Sequence, residues 1–119
     1  ARHWLNEEIE HGWASCAITQ NGVVRILSQP HYPSTVSPSE SLTLLTNATK
    51  TEHHSYWPCS VSLTDDTVVD RTRIHGHRQV TDVYLLALAT ANDGRFVTFD
   101  TSIPRAAVHD ATKDHLVIL

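Results

Sequence analysis

The fold is decided by residues 80–100, which read VTDVYLLALATANDGRFVTFD. The apolar first half of this stretch predicts a well-buried helix that is closed by Gly94. Residues 95–99 predict a strand that ends at Asp100, and HLVIL at 115–119 predicts a last strand. Strands that alternate with helices indicate an α/β fold with a parallel sheet.

The sequence before this stretch predicts the same alternation. An opening helix ends near Gly12, where glycine suits a helix C-terminus. The motif Ser37-Pro38-Ser39-Glu40 starts another helix, since serine caps, proline takes the first helical position and glutamate completes a capping box. The remaining predicted elements are a strand over 13–18, a helix over 20–28 capped by Thr19, a short strand or extended segment over 56–63 and a short helix over 64–74.

Composition limits the classes of protein to consider. The chain has 119 residues and a net charge of −4, which predicts one globular domain over residues 1–119 and argues against coating nucleic acid by bulk charge. No apolar run approaches the roughly 20 residues of a membrane span. The two cysteines, Cys16 and Cys59, form no CxxC motif and are expected to be buried thiols of a cytoplasmic protein.

The start of the chain carries a further expectation. The sequence contains no methionine, and Ala1 already lies within a helical pattern whose apolar face includes Trp4 and Ile9. We therefore expect residues upstream of Ala1 to be missing from this chain.

Three polar residues are expected at one edge of the sheet, where α/β folds bind ligands. From Asp82 to Asn92 the helix descends about 15 Å at about 1.5 Å per residue. The following strand climbs about 17 Å to Asp100 at about 3.3 Å per residue. Asp82 and Asp100 thus return to the same edge, and Gln20 arrives there because it follows a strand and opens a helix.

Two carboxylates that face one cleft repel each other, and a divalent cation relieves that repulsion. Carboxylate oxygens suit Mg²⁺ or Mn²⁺, and such an ion polarises a phosphodiester and activates a bound water. In the alternative interpretation, Asp82 only favours a helix N-terminus and Asp100 only caps a turn.

Three blocks of the sequence resemble the PIN-domain toxins of the VapC type. They are TQNGVVRIL at 19–27, HRQVTDVYLLALA at 77–89 and GRFVTFD at 94–100, and WPCSVSL at 57–63 resembles a weaker segment between them. The resemblance implies a PIN-like three-layer α/β/α fold with a central parallel sheet. It also implies a Mg²⁺- or Mn²⁺-dependent endoribonuclease that cleaves RNA, is held inactive by a VapB-type antitoxin and forms a homodimer.

The resemblance also assigns site residues. Asp82 matches the family's acid on the penultimate helix, and Asp100 matches the acid that closes the following strand. Both are thereby predicted to be catalytic metal ligands, and Thr98 matches a small hydroxyl residue that orients a ligand or water. Gln20 and Arg25 are further candidates to line the site.

The chain departs from the family pattern in two ways. The family's first acid lies on a first, central strand that is absent from this chain. Gln20 stands where many relatives carry glutamate, and a neutral amide adds no charge, so weaker metal affinity is expected. These departures keep a second hypothesis open, a catalytically impaired PIN-like module that binds antitoxin or RNA without cleaving it. A flavodoxin-like domain is a third, which the lack of a glycine-rich phosphate loop disfavours.

A basic stretch precedes Asp82. Arg71, Arg73, His77 and Arg78 are candidates to guide an RNA backbone toward the acids. The alternative is a solvated loop with ordinary surface charge.

Overall fold

The structure is a computed structural model that describes residues 2–31 and 33–119. Helices and strands are interspersed along the chain, as expected for an α/β protein, although two of the helices are consecutive and no α-helix separates the last two strands. The elements are α1 (Arg2–Glu8), β1 (Trp13–Ser15), α2 (Ala17–Leu27), α3 (Pro38–Thr49), β2 (His54–Tyr56), α4 (Val80–Ala91), β3 (Phe96–Thr98) and β4 (Leu116–Ile118). Short 3-10 turns lie at Ile9–His11, Arg71–Arg73, His77–Gln79 and Arg105–Ala107.

The chain divides into two compact units, which we call the N-terminal unit (Ala1–Pro58) and the C-terminal unit (Cys59–Leu119). In the N-terminal unit β1 and β2 pair in parallel, and α2 packs against α3. The predicted start of α3 is confirmed, because the Ser37 hydroxyl accepts a hydrogen bond from the Glu40 amide at 3.0 Å. This cap satisfies one of the amides that a helix start leaves without a partner.

The C-terminal unit carries a hydrophobic core around α4. The predicted helix is confirmed, and β3 pairs in parallel with β4 as Phe96 opposes Leu116. Burial of aliphatic side chains supplies most of the stabilisation of such a unit. The buried core consists of Val69, Val83, Leu86, Ala87, Ile103, Ala107 and Val108.

The end of α4 differs in detail from the prediction. The residue in the left-handed region is Asp93, with φ of 51°, and not Gly94. The amide of Gly94 donates to the carbonyl of Ala89 at 2.8 Å, and that of Asp93 donates to Thr90 at 3.0 Å. This is a Schellman arrangement, in which aspartate tolerates a conformation that glycine usually takes.

Two predictions in the N-terminal unit are wrong at their boundaries. The strand predicted over 13–18 ends at Ser15, and α2 begins at Ala17 rather than after Thr19. Thr19 accepts a hydrogen bond from the Cys16 amide at 2.9 Å within the first turn of α2. A capping box between Cys16 and Thr19 therefore starts the helix three residues earlier than the threonine alone suggested.

A further prediction is correct only in part, and two more are wrong. Of the short strand or extended segment predicted over 56–63, only Tyr56 belongs to a strand, because β2 ends there before Pro58, and residues 57–62 belong to no helix or strand. The helix predicted over 64–74 is reduced to turns and the 3-10 turn at Arg71–Arg73. Cys59 is exposed rather than buried, whereas Cys16 is buried as expected.

Within residues 2–31 and 33–119, no helix has the length and apolar character that crossing a membrane requires.

Candidate functional site

Asp82 lies in the first turn of α4 and is half-buried. Its carboxylate accepts no hydrogen bond from any residue in the described part of the chain. Burial raises the pKa of Asp82, and the negative charge of Asp100 raises it further. Burial and a nearby like charge both disfavour the ionised form of a carboxyl group.

Asp100 follows β3 and is held by the loop that it begins. Its Oδ1 accepts a hydrogen bond from the Ser102 hydroxyl at 2.6 Å and another from the Ser102 amide at 2.8 Å. These two bonds to Ser102 lower the pKa of Asp100, so this carboxylate stays ionised. The Asp100 amide in turn donates to the Thr98 hydroxyl oxygen at 3.0 Å, which fixes the end of the strand.

The two carboxylates lie close enough to interact electrostatically. The segment before α4 also contacts the loop that follows Asp100, because Nε2 of the Gln79 side chain donates to the backbone carbonyl of Ser102 at 3.5 Å. The helix and strand thus bring Asp82 and Asp100 to the same edge of the C-terminal unit. Whether they bind a metal ion stays a prediction.

The donor set suits a hard divalent cation in chemistry and charge. Among residues 2–31 and 33–119, no group of three or more histidine, cysteine or acidic side chains is placed to hold a metal ion. Mg²⁺, however, is commonly bound through one or two carboxylates and completes its shell with water and substrate phosphate. The unbonded carboxylate of Asp82 and the repulsion from Asp100 are both features that a bound cation would relieve.

Gln20 and Arg25 lie on α2, in the N-terminal unit. Nε2 of the Gln20 side chain donates to the Ser15 hydroxyl oxygen at 2.9 Å, and that oxygen lies 2.8 Å from Nε2 of His54. The ring of His54 in turn contacts the ring of Trp13, with 4.4 Å between centroids. The predicted place of Gln20 and Arg25 beside the acids stays a prediction.

Ser15, His54 and Ser102 contact predicted site residues or one another but were not predicted from the sequence. Ser102 had a detectable signal, since an aspartate two residues before a serine is typical of a hydrogen-bonded turn. Ser15 and His54 had none, because they are 39 residues apart and meet only through the parallel pairing of β1 with β2.

The basic stretch before α4 is partly neutralised. Arg71 donates to Oδ1 of Asp66 at 2.7 Å, and Arg73 lies 3.3 Å from Oδ2 of Asp70. His77 and Arg78 are exposed directly before α4. The assignment of these four basic residues to RNA binding stays a prediction.

Comparison with known proteins identifies relatives along the whole chain. The ribonuclease VapC44 of Mycobacterium tuberculosis is 59% identical over 119 residues, which are 100% of this chain and 84% of that protein. The ribonuclease VapC39 of the same organism is 35% identical over 108 residues, covering 90% of this chain and 78% of the relative. The ribonuclease VapC38 of the same organism is 36% identical over 103 residues, which cover 86% of this chain and 71% of that protein.

A scan against protein-family models finds no match. No solved structure matches the chain either. The similarity to VapC44 nevertheless covers the whole of this chain at 59% identity, so the chain belongs to the VapC family of ribonucleases.

Proposed function

We propose that this protein is a metal-dependent endoribonuclease, the toxin of a type II toxin–antitoxin pair. Its membership of the VapC ribonucleases supports RNA as the substrate. The observation that carries the metal assignment is the half-buried, unbonded carboxylate of Asp82 next to the charge of Asp100. Two like charges at one edge are costly without a cation, and functional sites are where such arrangements cluster.

In this proposal Asp82 and Asp100 hold Mg²⁺ or Mn²⁺. The bound ion supplies positive charge for the phosphodiester oxygens and lowers the pKa of a water molecule to be used as the nucleophile. Ser102 donates two hydrogen bonds to Oδ1 of Asp100 and keeps this carboxylate ionised, the form that would hold the cation. Thr98 holds the turn by accepting from the Asp100 amide, so its role is to position that aspartate.

The family resemblance also supplies the partners in this proposal. A VapB-type antitoxin holds the enzyme inactive, and two copies of the chain form a homodimer. The same resemblance supports one PIN-like domain over residues 1–119, with a three-layer arrangement and a central parallel sheet. The mixed α/β character supports this proposal, and the strands of the structure form two separate two-stranded parallel sheets, β1 with β2 and β3 with β4.

A second candidate function is a PIN-like module that binds antitoxin or RNA without cleaving it. The observation in its favour is Gln20, whose amide nitrogen is engaged by Ser15 and whose side chain brings no negative charge. A metal titration of the protein with an RNA substrate distinguishes this module from the nuclease.

The test is RNA cleavage with added Mg²⁺ or Mn²⁺, compared with the same reaction in excess chelator. We expect Asp82→Asn and Asp100→Asn each to lower the cleavage rate by at least about 100-fold, since Lewis-acid catalysis contributes several kcal/mol. Asp110→Asn is the matched control, because Asp110 is an exposed aspartate of the same unit outside the acid pair. Cleavage that survives chelator, or that both acid-pair variants retain, would refute the proposal.

A further inference from the structure

The C-terminal unit contains a cleft of about 700 Å³ that is separate from the acid pair. Its lining includes the apolar side chains of Val108 and Leu116. The lining also includes the cationic side chains of Arg73 and Arg105, together with His109. Neither the family motifs nor the basic stretch of the sequence pointed to Arg105 or His109.

The backbone around the cleft is held by tertiary hydrogen bonds. Val69 and Val108 form an antiparallel bridge, and both are buried. The Asp70 amide donates to the carbonyl of Ala107 at 2.8 Å, and the His109 amide donates to the carbonyl of Val68 at 3.0 Å. The backbone segments that carry Arg73 and Arg105 are therefore held against each other by the fold.

The charge in the cleft is positive on balance. One acid, Asp70, lies among the lining residues, and its oxygens are already engaged by Thr72 and Arg73. The side chains of Arg105 and His109 are exposed and make no hydrogen bond or ion pair within the part of the chain that the structure describes. A guanidinium without an acidic partner, facing a cleft, is suited to a phosphate group, which it can bind through two parallel hydrogen bonds.

The cleft lies within reach of the acid pair. Arg105 follows Asp100 by five residues, so their Cα atoms are at most about 18 Å apart. On the other segment, the exposed side chains of His77 and Arg78 follow Arg73 in the sequence, directly before α4, which carries Asp82. Basic residues therefore lie in sequence between a residue that lines the cleft and the helix of one acid, and an RNA strand offers such residues one phosphate per nucleotide.

We propose that Arg73, Arg105 and His109 form a phosphate-binding site for the RNA strand, a few nucleotides away from the bond at Asp82 and Asp100. The proposal rests on the proposed function for its choice of RNA. Arg105 is its principal contact, because Arg73 shares its charge with Asp70. The apolar part of the cleft lining, which includes Leu116, contacts the ribose or base next to that phosphate.

The test is equilibrium binding of a fluorescently labelled oligouridine to the full protein in excess chelator, repeated over a range of salt concentrations. We expect Arg105→Gln to weaken binding at least about tenfold, the effect of losing one charge-assisted contact. It should also reduce the slope of log K against log salt concentration by about 0.7, as expected for one lost phosphate contact on single-stranded RNA. His109→Gln should weaken binding less.

Lys113→Gln is the matched control, because Lys113 is exposed in the same unit and does not line the cleft. It removes the same net charge, and we expect it to leave the salt slope unchanged. Circular dichroism should show both variants to be folded, since both side chains are exposed. Equal affinity and slope for Arg105→Gln and Lys113→Gln would overturn the proposal, as would a wild-type protein that binds an oligoglutamate peptide and no RNA.

The outcome for this site is separable from that for the nuclease. If Arg105→Gln binds RNA normally while cleavage still requires Asp82, the phosphate site is wrong and the proposed function stands. If Arg105→Gln weakens binding but the wild-type protein shows no metal-dependent cleavage, the phosphate site is supported and the nuclease assignment fails.

Discussion

The carboxyl groups of Asp82 and Asp100 interact, yet their pKa values are shifted in opposite directions. Burial and the charge of Asp100 raise the pKa of Asp82, whereas hydrogen bonds from Ser102 lower the pKa of Asp100. The structure therefore keeps one acid firmly ionised and places its charge against a second acid that has no hydrogen-bond donor among the described residues. The opposite pKa shifts lead us to a different prediction for each of the two carboxyl groups.

Asp82→Asn should raise the melting temperature of the metal-free protein at pH 7. A carboxyl whose pKa is raised on folding destabilises the folded state at pH values above that pKa, and the amide removes this cost. The gain should shrink as the pH falls and vanish below about pH 3, where the wild-type carboxyl is protonated in both states. The measurement is thermal unfolding across pH, with Asp110→Asn as the control. A loss of stability at pH 7 that persists unchanged at low pH would contradict the electrostatic account.

Ser102→Ala should raise the pKa of Asp100. The variant removes the 2.6 Å hydrogen bond from the serine hydroxyl and keeps the bond from the backbone amide, so the pKa should return only part of the way. The check is an NMR titration of the Asp100 carboxyl carbon, with the exposed Ser60 replaced by alanine as the control. An unchanged titration of Asp100 would show that the hydroxyl does not hold this carboxylate.

Residues 80–100 could be predicted from sequence because local signals agree there. The apolar run of α4 and the strand after it needed no distant contact, and helix and strand lengths alone placed Asp82 and Asp100 at one edge. Residues 64–74 were predicted incorrectly because the buried Val69 pairs with Val108, a contact that overrides local helical preference. The cleft at Arg105 could not be predicted from sequence either, because it forms only where segments that are distant in the sequence meet.

Gln20→Glu should tighten Mg²⁺ binding if residue 20 lines the metal site. The change replaces a neutral amide by a carboxylate, and opposite charge increases affinity for a hard cation. It also removes the hydrogen bond that the side chain of Gln20 donates to the Ser15 hydroxyl. Calorimetric titration with Mg²⁺ checks this, and Gln29→Glu adds the same charge at an exposed position of the N-terminal unit as the control. No gain over the control would remove Gln20 from the site.

Leu86→Ala should destabilise the protein by about 2–5 kcal/mol. Leu86 is fully buried in the core cluster on α4, and truncation there leaves a cavity. Leu44→Ala makes the same change on α3 at a side chain that is 57% exposed, and should cost about 0.5 kcal/mol or less. Denaturant unfolding measures both. Equal effects would show that α4 does not organise the core as described.

A cation site shared by Asp82 and Asp100 can be measured by calorimetric titration of the full protein with Mg²⁺. We expect the wild-type protein and Asp110→Asn to bind Mg²⁺ with the same affinity, while Asp82→Asn and Asp100→Asn each bind it at least about tenfold more weakly. Wild-type affinity in both acid-pair variants would show that the two acids share no such site.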